Sequence, residues 1–192
     1  VISQSGETAD SLAALEEGSK LGAKCLAITN VATSAIARFC KNSVGNIFLQ
    51  AGIEISVAST KSFVSQVLAL KLLSLELAYK KMLITFEEQK KYLDSLLKLP
   101  SFINEILKQD NHIADIACKL KEQNNMLYIA RGELYPIALE GALKMKELSY
   151  IAAQGYPAGE LKHGPIATID KDMVVVVLMD NDELSKKTMS NL

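Results

Sequence analysis

Three charged residues in the second half of the sequence are spaced as one face of a helix. Within the amphipathic stretch 134–152 they are Glu140, Lys144 and Glu147, at i, i+4 and i+7, and in a helix their side chains would share one side. On spacing alone, such a face is most often a solvated row of salt bridges. The same set could do acid–base chemistry, because a carboxylate can take a proton from carbon while an adjacent ammonium stabilises the oxyanion that develops.

The first residues of the chain form a hydroxyl-rich turn between a predicted strand and a predicted helix. Ser3, Ser5 and Thr8 surround Gly6, whose missing side chain lets a ligand approach the backbone. The free N–H groups and the positive dipole end of the following helix favour an anion such as phosphate. The competing interpretation is a helix cap that binds only its own backbone. Neither a Walker loop nor a dinucleotide fingerprint is present, which favours a small phosphate ester over a nucleotide.

A histidine lies in the glycine- and proline-rich stretch 155–165. His163 is preceded by Gly159 and followed by Gly164 and Pro165, which predicts a constrained loop. A single loop histidine is more often structural or merely exposed. Its imidazole could also transfer protons near neutral pH, so both interpretations stay open on the residues alone.

The elements that must position these groups alternate between strand and helix. Such alternation predicts an α/β fold with parallel sheets, in which ligands bind where the carboxyl ends of strands meet helix N-termini. The predicted strands are 1–3, 24–29, 46–49, 126–130 and 173–179. The predicted helices are 9–21, 34–40, 59–80, 134–152 and 182–191, with two or three more in 86–123 that break at Pro100 and near Asp110.

Two strand-to-helix segments resemble each other in spacing and indicate a duplicated α/β unit. They read "VISQSGETADSLAALEEG" and "VVVVLMDNDELSKKTMSNL". The second copy has an extra strand and helix, 126–152, whose counterpart would lie upstream of Val1. Because Val1 also begins inside a predicted buried strand, we expect the sequence to be a fragment of a longer protein.

Composition and charge argue against several classes of protein. The 192 residues are 49% hydrophobic and 22% charged, as in a globular protein, and the formal net charge of -1 offers no general attraction for nucleic acid or anionic membranes. Cys25, Cys40 and Cys118 form no Cys-x-x-Cys pair and are expected to be reduced thiols, not metal ligands. No apolar run approaches the roughly 20 residues of a membrane span, so we expect a cytoplasmic protein without a membrane partner.

Four motifs, in order along nearly the whole chain, carry a family resemblance. They are "SQSGETADS", "GIEISVASTKSF", "ALEGALKMKELSYI" and "AGELKHGPIATID", and together they resemble the sugar isomerase (SIS) domains of the glutamine–fructose-6-phosphate aminotransferase family. The resemblance implies two tandem SIS-type, doubly wound parallel-sheet units, truncated at both ends. The implied domains are 1–82 and 126–192, joined by a helical connection at 83–125. Members of this family convert fructose 6-phosphate and glutamine to glucosamine 6-phosphate, with ammonia supplied by an N-terminal amidotransferase domain.

The same resemblance implies roles for individual residues. Glu147 matches the base of the isomerisation, Lys144 the cation near the C1 oxygen, and His163 the residue that opens the sugar ring from across a homodimer interface. No metal or cofactor is implied. The residues that match the phosphate and sugar contacts are Ser3, Gln4, Ser5, Thr8, Val57 and Ser59.

One catalytic group of the family is not matched in this chain. The lysine that forms a Schiff base with the sugar lies near the extreme C-terminus in the family, and neither Lys61 nor Lys162 stands in its motif. This stretch alone is therefore not expected to catalyse the full reaction.

Two other functions fit parts of the pattern. A sugar-phosphate isomerase or deglycating enzyme of the same fold would lack ammonia chemistry, and the Lys-x-x-Glu and Lys-His-Gly-Pro motifs argue against it. A sugar-phosphate sensor would keep the turn and lose the catalytic groups, whereas Glu147 and His163 are both present.

Overall fold

The computed structural model describes residues 1–181 and 183–189. The chain divides into two units, Val1–Ser101 and Phe102–Leu192, and the described part of each contains a parallel three-stranded sheet with helices. The predicted α/β fold with parallel sheets is therefore confirmed. The domain boundaries 1–82, 83–125 and 126–192 stay a prediction.

The sheet of the first unit follows the order of the sequence, β1-β2-β3. Its central strand places Ile28 between Ile2 and Ile47 in parallel register, and a small apolar core that includes Leu15 and Ile36 packs beside it. The carboxyl ends of the strands consequently lie along one edge of the sheet. The elements are β1 (Ile2–Ser3), α1 (Ala9–Lys20), β2 (Leu26–Thr29), α2 (Ala35–Cys40) and β3 (Gly45–Phe48).

A run of helices follows β3, as the sequence predicts. The helices are α3 (Lys61–Lys80), α4 (Phe86–Leu96), α5 (Leu99–Leu107) and α6 (Asp110–Leu120). The predicted breaks at Pro100 and near Asp110 are confirmed, since α5 begins one residue before Pro100 and α6 begins at Asp110. A capping box in which Thr85 and Glu88 bind each other's backbone N–H groups fixes the start of α4.

Helix α3 corrects one expectation from the sequence. It has 20 residues and an 18-residue window of mean hydropathy 1.3, so by length and composition it is able to cross a membrane. The prediction that no segment approaches that length was wrong. One such helix is weak evidence of a membrane span, because core helices of globular proteins have the same properties.

The sheet of the second unit has a central strand with neighbours on both sides, in the order β5-β4-β6. One face of β4 packs Met126 and Tyr128 against Ala138 and Ala142 of the following helix, and side chains at alternate positions reach the other face. The elements are β4 (Asn125–Ala130), α7 (Tyr135–Ser149), β5 (Ala152–Pro157), β6 (Val174–Val177) and α8 (Glu183–Met189), with 3-10 segments at Gly132–Leu134, Ala158–His163 and Pro165–Thr168. Residues 182, 190 and 191 of the last predicted helix lie outside the described residues.

Two predictions for this unit were wrong. The helix predicted for 134–152 ends at Ser149, because Tyr150 adopts a left-handed conformation with φ of 59°. The loop predicted for 155–165 begins instead as strand β5 and continues as a 3-10 segment. Strand β5 pairs with β4 along its whole length, from Ala152 opposite Asn125 to Pro157 opposite Ala130. This pairing imposes the extended conformation on residues that do not favour it by themselves.

Helix α7 lies very close to β5. A Cβ atom on Gly155 would stand 2.8 Å from Leu139 Cδ2 and 3.0 Å from Leu139 Cα, so only glycine fits at this position without a shift of the helix backbone. The contact sets the distance between the strand and the helix that carries the charged face.

Candidate active site

The opening turn is organised by its own hydroxyl groups. The Gly6 N–H donates to Ser3 Oγ at 3.0 Å, and the Glu7 N–H donates to Ser5 Oγ at 3.2 Å. The hydroxyls of Ser3 and Thr8 lie 3.2 Å apart and share a hydrogen bond. Ser3, Ser5 and Thr8 therefore converge on a single turn at the carboxyl end of β1.

Thr8 stands at the N-cap position of α1, yet its side chain makes no capping hydrogen bond to the helix. The capping interpretation is therefore wrong for Thr8, whereas Ser3 and Ser5 do accept hydrogen bonds from the backbone of their own turn. Thr8 therefore accepts no hydrogen bond from the first N–H groups of α1. The positive dipole end of this helix favours an anion at the same place.

Residues distant in sequence hold the turn in place. Gly6 has a φ of 66°, and a Cβ atom there would lie 2.1 Å from Ser34 Oγ and 2.9 Å from Thr29 Oγ1, both on buried residues. Glu7 Oε1 accepts a hydrogen bond from the Ala35 N–H at 2.8 Å. Sequence reasoning missed Glu7, Thr29 and Ser34, and the glycine in the turn was the single local signal of a close approach.

Gln4 lines an open cleft of about 530 Å³ at the carboxyl ends of the three strands. Asn30 ties the rim of this cleft together, because its Nδ2 donates to Gly52 O at 2.7 Å and its Oδ1 accepts from the Ala51 N–H at 2.9 Å. The cleft is large enough for a small polar ligand. Its lining residues include Gln4, Asn30, Val31, Gln50, Ile53 and Glu54.

Val57 and Ser59 lie on the loop before α3. The Val57 side chain is 94% exposed, while Ser59 Oγ lies 2.6 Å from Ser62 Oγ, a buried hydroxyl in the first turn of the helix. Glu54 Oε2 accepts from the Thr60 N–H at 2.8 Å and closes the base of the loop. Within the described part of the chain, no hydrogen bond joins Val57 or Ser59 to the opening turn.

The charged face of α7 is a compact three-residue cluster. Lys144 Nζ donates to Glu147 Oε2 at 2.6 Å and lies 3.4 Å from Glu140 Oε1. The three side chains are only 21–31% exposed, unlike the ordinary surface pair of Lys20 and Glu17, in which both side chains are more than 60% exposed.

The pKa of Lys144 is raised above that of a free lysine. Partial burial pulls it down, but the hydrogen bond to Glu147 and the charge of Glu140 outweigh that effect. Lys144 is consequently an ammonium ion at neutral pH. It can stabilise an oxyanion, but it is poorly suited to act as a proton acceptor or an amine nucleophile.

His163 is the last residue of its 3-10 segment and is solvent-exposed. The next residue, Gly164, has a φ of 139°, where a side chain would be strained. Among residues 1–181 and 183–189, no hydrogen bond or ion pair connects His163 to Lys144 or Glu147. The same described residues contain no group of three or more His, Cys, Asp or Glu able to hold a metal ion.

Comparisons with known proteins agree on the family. The SIS domain model matches residues 1–75 and 119–192. The proteins named glutamine–fructose-6-phosphate aminotransferase [isomerizing] from Chlorobaculum tepidum and Pseudomonas aeruginosa are 48% and 46% identical to this chain over all 192 residues. The chain spans 31% of the length of each of these relatives.

Solved structures show the same likeness. The C-terminal domain of glucosamine-fructose-6-phosphate aminotransferase from Francisella tularensis has a TM-score of 0.94 and 43% identity, with coverage of 99% of this chain and 53% of that chain. Glucosamine-6-phosphate deaminase from Thermotoga maritima, at 24% identity, a TM-score of 0.66 and coverage of 98% and 56%, shares the fold. Because the SIS model matches well over half of the sequence, in both units, the chain belongs to the SIS domain family.

Proposed function

We propose that this chain is the sugar-isomerising part of an enzyme that converts fructose 6-phosphate and glutamine to glucosamine 6-phosphate and glutamate. One observation carries the proposal: the hydrogen-bonded pair of Lys144 and Glu147 lies in a chain that is 46–48% identical, from end to end, to two proteins named for that reaction. The rest of the proposal assigns roles to the residues around that pair.

The opening turn is proposed to bind the 6-phosphate of the sugar. Ser5 and Thr8 would donate hydroxyl hydrogen bonds, and the positive end of α1 would attract the charge. Such bonds between neutral donors and a charged acceptor are among the stronger ones in proteins. The remaining proposed contacts are Ser3, Gln4, Val57 and Ser59, with Gln4 at the cleft beside the turn.

Glu147 is proposed to be the base of the isomerisation. Its carboxylate would take a proton from one of the carbons C1 and C2 of the open-chain sugar and return it to the other. The oxygen that gains negative charge in between would be stabilised by Lys144, whose raised pKa keeps it cationic. The Schiff-base lysine of the family would come from outside this chain, since Lys144 is protonated and Lys61 and Lys162 do not match its motif.

His163 is proposed to assist the opening of the sugar ring, by moving a proton to or from the ring oxygen. Its exposure on a short 3-10 segment suits a residue that completes a site on a second copy of the chain. We therefore propose a homodimer with two identical shared sites, in which His163 of one subunit serves the site built around Glu147 of the other.

The reaction is tested with the full-length protein, fructose 6-phosphate and glutamine. Formation of glucosamine 6-phosphate is expected. Interconversion of sugar phosphates without incorporation of nitrogen would instead identify an isomerase of the same fold, and binding without turnover would identify a sensor.

The shared site is tested by mixing a full-length His163→Ala variant with a full-length Glu147→Gln variant. Mixed dimers contain one site in which both residues are intact, so part of the activity should return. If labelled subunits exchange in the mixture but no activity returns, the two residues serve the same chain or His163 has no catalytic role.

The organisation of the chain completes the proposal. We propose SIS domains at 1–82 and 126–192 with a helical connection at 83–125, in a cytoplasmic protein. Limited proteolysis of the full-length protein tests the connection, because exposed segments between compact domains are cut first.

A further inference from the structure

Arg131 is a cation that the proposed reaction leaves without a role. It directly follows β4, and its Nε atom is buried without a hydrogen-bond partner. Among the described residues its guanidinium makes no ion pair, although Glu133 and Glu160 lie on the adjoining segments. A buried donor of a charged group that finds no partner destabilises the fold, so this arrangement needs an explanation.

The position of Arg131 in the sheet offers an explanation for its unpartnered Nε atom. The chain leaves β4 through α7 to β5 on one side, and then returns to place β6 on the other side of β4. Such a reversal is a topological switch point, where α/β folds bind ligands outside the carboxyl ends of the strands. Arg131 is the first residue beyond the carboxyl end of that central strand.

The neighbouring backbone is shaped around the guanidinium. A Cβ atom on Gly159 would lie 3.2 Å from Arg131 Nη1 and 3.6 Å from Nη2, so the missing side chain of Gly159 makes room for the flat guanidinium group. No side chain caps the N-terminus of α7, which begins four residues after Arg131, and its positive dipole end adds to the attraction for an anion.

We propose that the carboxyl end of β4 is an oxyanion site, in which the Arg131 guanidinium binds the phosphate or carboxylate group of a small ligand. The planar fork of arginine matches both groups with two parallel hydrogen bonds. The residues of this site all belong to the second unit and have no role in the proposed reaction, so the inference does not depend on the proposed function.

The other arginine of this chain provides an internal control. Arg38 Nη1 donates to the Thr33 carbonyl oxygen, so its guanidinium already has a partner within the chain. The full-length protein is labelled with ¹⁵N-arginine, the Nε–Hε signals are recorded at constant ionic strength, and inorganic phosphate or acetate is added in separate titrations. Arg131→Lys and Arg38→Lys assign the two signals.

The Arg131 signal is expected to move with a saturable dependence on phosphate, acetate or both, while the Arg38 signal stays in place. The stronger of the two titrations shows whether phosphate or carboxylate is preferred. In Gly159→Ala the Arg131 signal can still be observed, and the new methyl group would displace the guanidinium. It should raise the half-saturating concentration by about tenfold, the effect of losing roughly one charge-assisted hydrogen bond.

Two results would overturn the proposal. One is an Arg131 signal that moves with neither anion, or only in parallel with that of Arg38. The other is a shift that disappears in the Ser5→Ala, Thr8→Val double variant, because it would then report binding at the opening turn.

Discussion

The two units hold their candidate groups by different physical means. In the first, neutral hydroxyls and backbone N–H groups of one short turn are kept in place by distant residues, among them Ser34 behind Gly6. In the second, Lys144 lies between two carboxylates of its own helix. The turn therefore depends on shape and tertiary contacts, whereas the α7 cluster depends on charge and helix periodicity. Substitutions in the first unit should therefore act mainly through lost shape and hydrogen bonds, and substitutions on α7 mainly through lost charge.

The largest effect is expected from removing the base in the second unit. Full-length Glu147→Gln should fold and bind the sugar phosphate, but exchange of solvent deuterium into the sugar should fall by about 10²–10⁴-fold, because an amide does not accept the proton. Glu17→Gln is the matched control, since Glu17 pairs with Lys20 at the same i,i+3 spacing on an exposed surface. Exchange at the parent rate in the Glu147 variant would remove this residue from the mechanism.

The next largest effect belongs to the hydroxyls of the first unit. Ser5→Ala combined with Thr8→Val should weaken binding of fructose 6-phosphate by about 2–4 kcal/mol, because bonds from these donors to a charged phosphate are lost. Calorimetry on the full-length protein measures the change, and Ser19→Ala on the exposed side of α1 is the control. Unchanged affinity would mean that the turn has only a structural role.

A shape-dependent turn should also be sensitive to a single methyl group. Gly6→Ala and Gly22→Ala both place alanine at positive φ, which costs about 1–2 kcal/mol, but only Gly6 lacks room for a Cβ atom. Gly6→Ala should therefore lower the free energy of unfolding by about 1–3 kcal/mol more than Gly22→Ala. Equal losses in denaturant titrations would show that the contact with Ser34 relaxes freely.

The smallest effect concerns pH and the charged cluster. Because the pKa of Lys144 is raised on folding, its ion pairs contribute stability in full below the pKa of an unfolded lysine, about 10.4. That contribution, about 0.5–1 kcal/mol, is lost as the pH rises through the higher pKa of the folded state. The difference in unfolding free energy between parent and Lys144→Met should shrink there. The corresponding difference for Lys20→Met, whose ion pair is exposed, should already be smaller than that for Lys144→Met at neutral pH.

The sequence predicted the second cluster better than the first because helix periodicity is a local property. The spacing of Glu140, Lys144 and Glu147 already determines that they share a face, and the structure adds the distances and the partial burial. The support of the opening turn by Glu7 and Ser34 has no local signature, since it joins residues far apart in the sequence.

Strand β5 was missed for a related reason. Its sequence, "AAQGYP", lacks the β-branched residues and alternation of a typical strand. It is extended because β4 offers a complete set of partners. Arg131 gave no signal either, because the meaning of its position depends on the order of strands in the sheet.

The close approach of Gly155 to Leu139 also bears on the order in which the second unit folds. Strand β4, helix α7 and strand β5 are consecutive along the chain, so their mutual contacts close shorter loops, and lose less entropy, than the pairing of β4 with β6. Strand β6 must come from farther away to pair Val174 with Met126. The β4–α7–β5 segment is thus suited to be the folding nucleus. Gly155→Ala would push α7 away from β5. It should slow refolding in stopped-flow experiments more than it speeds unfolding.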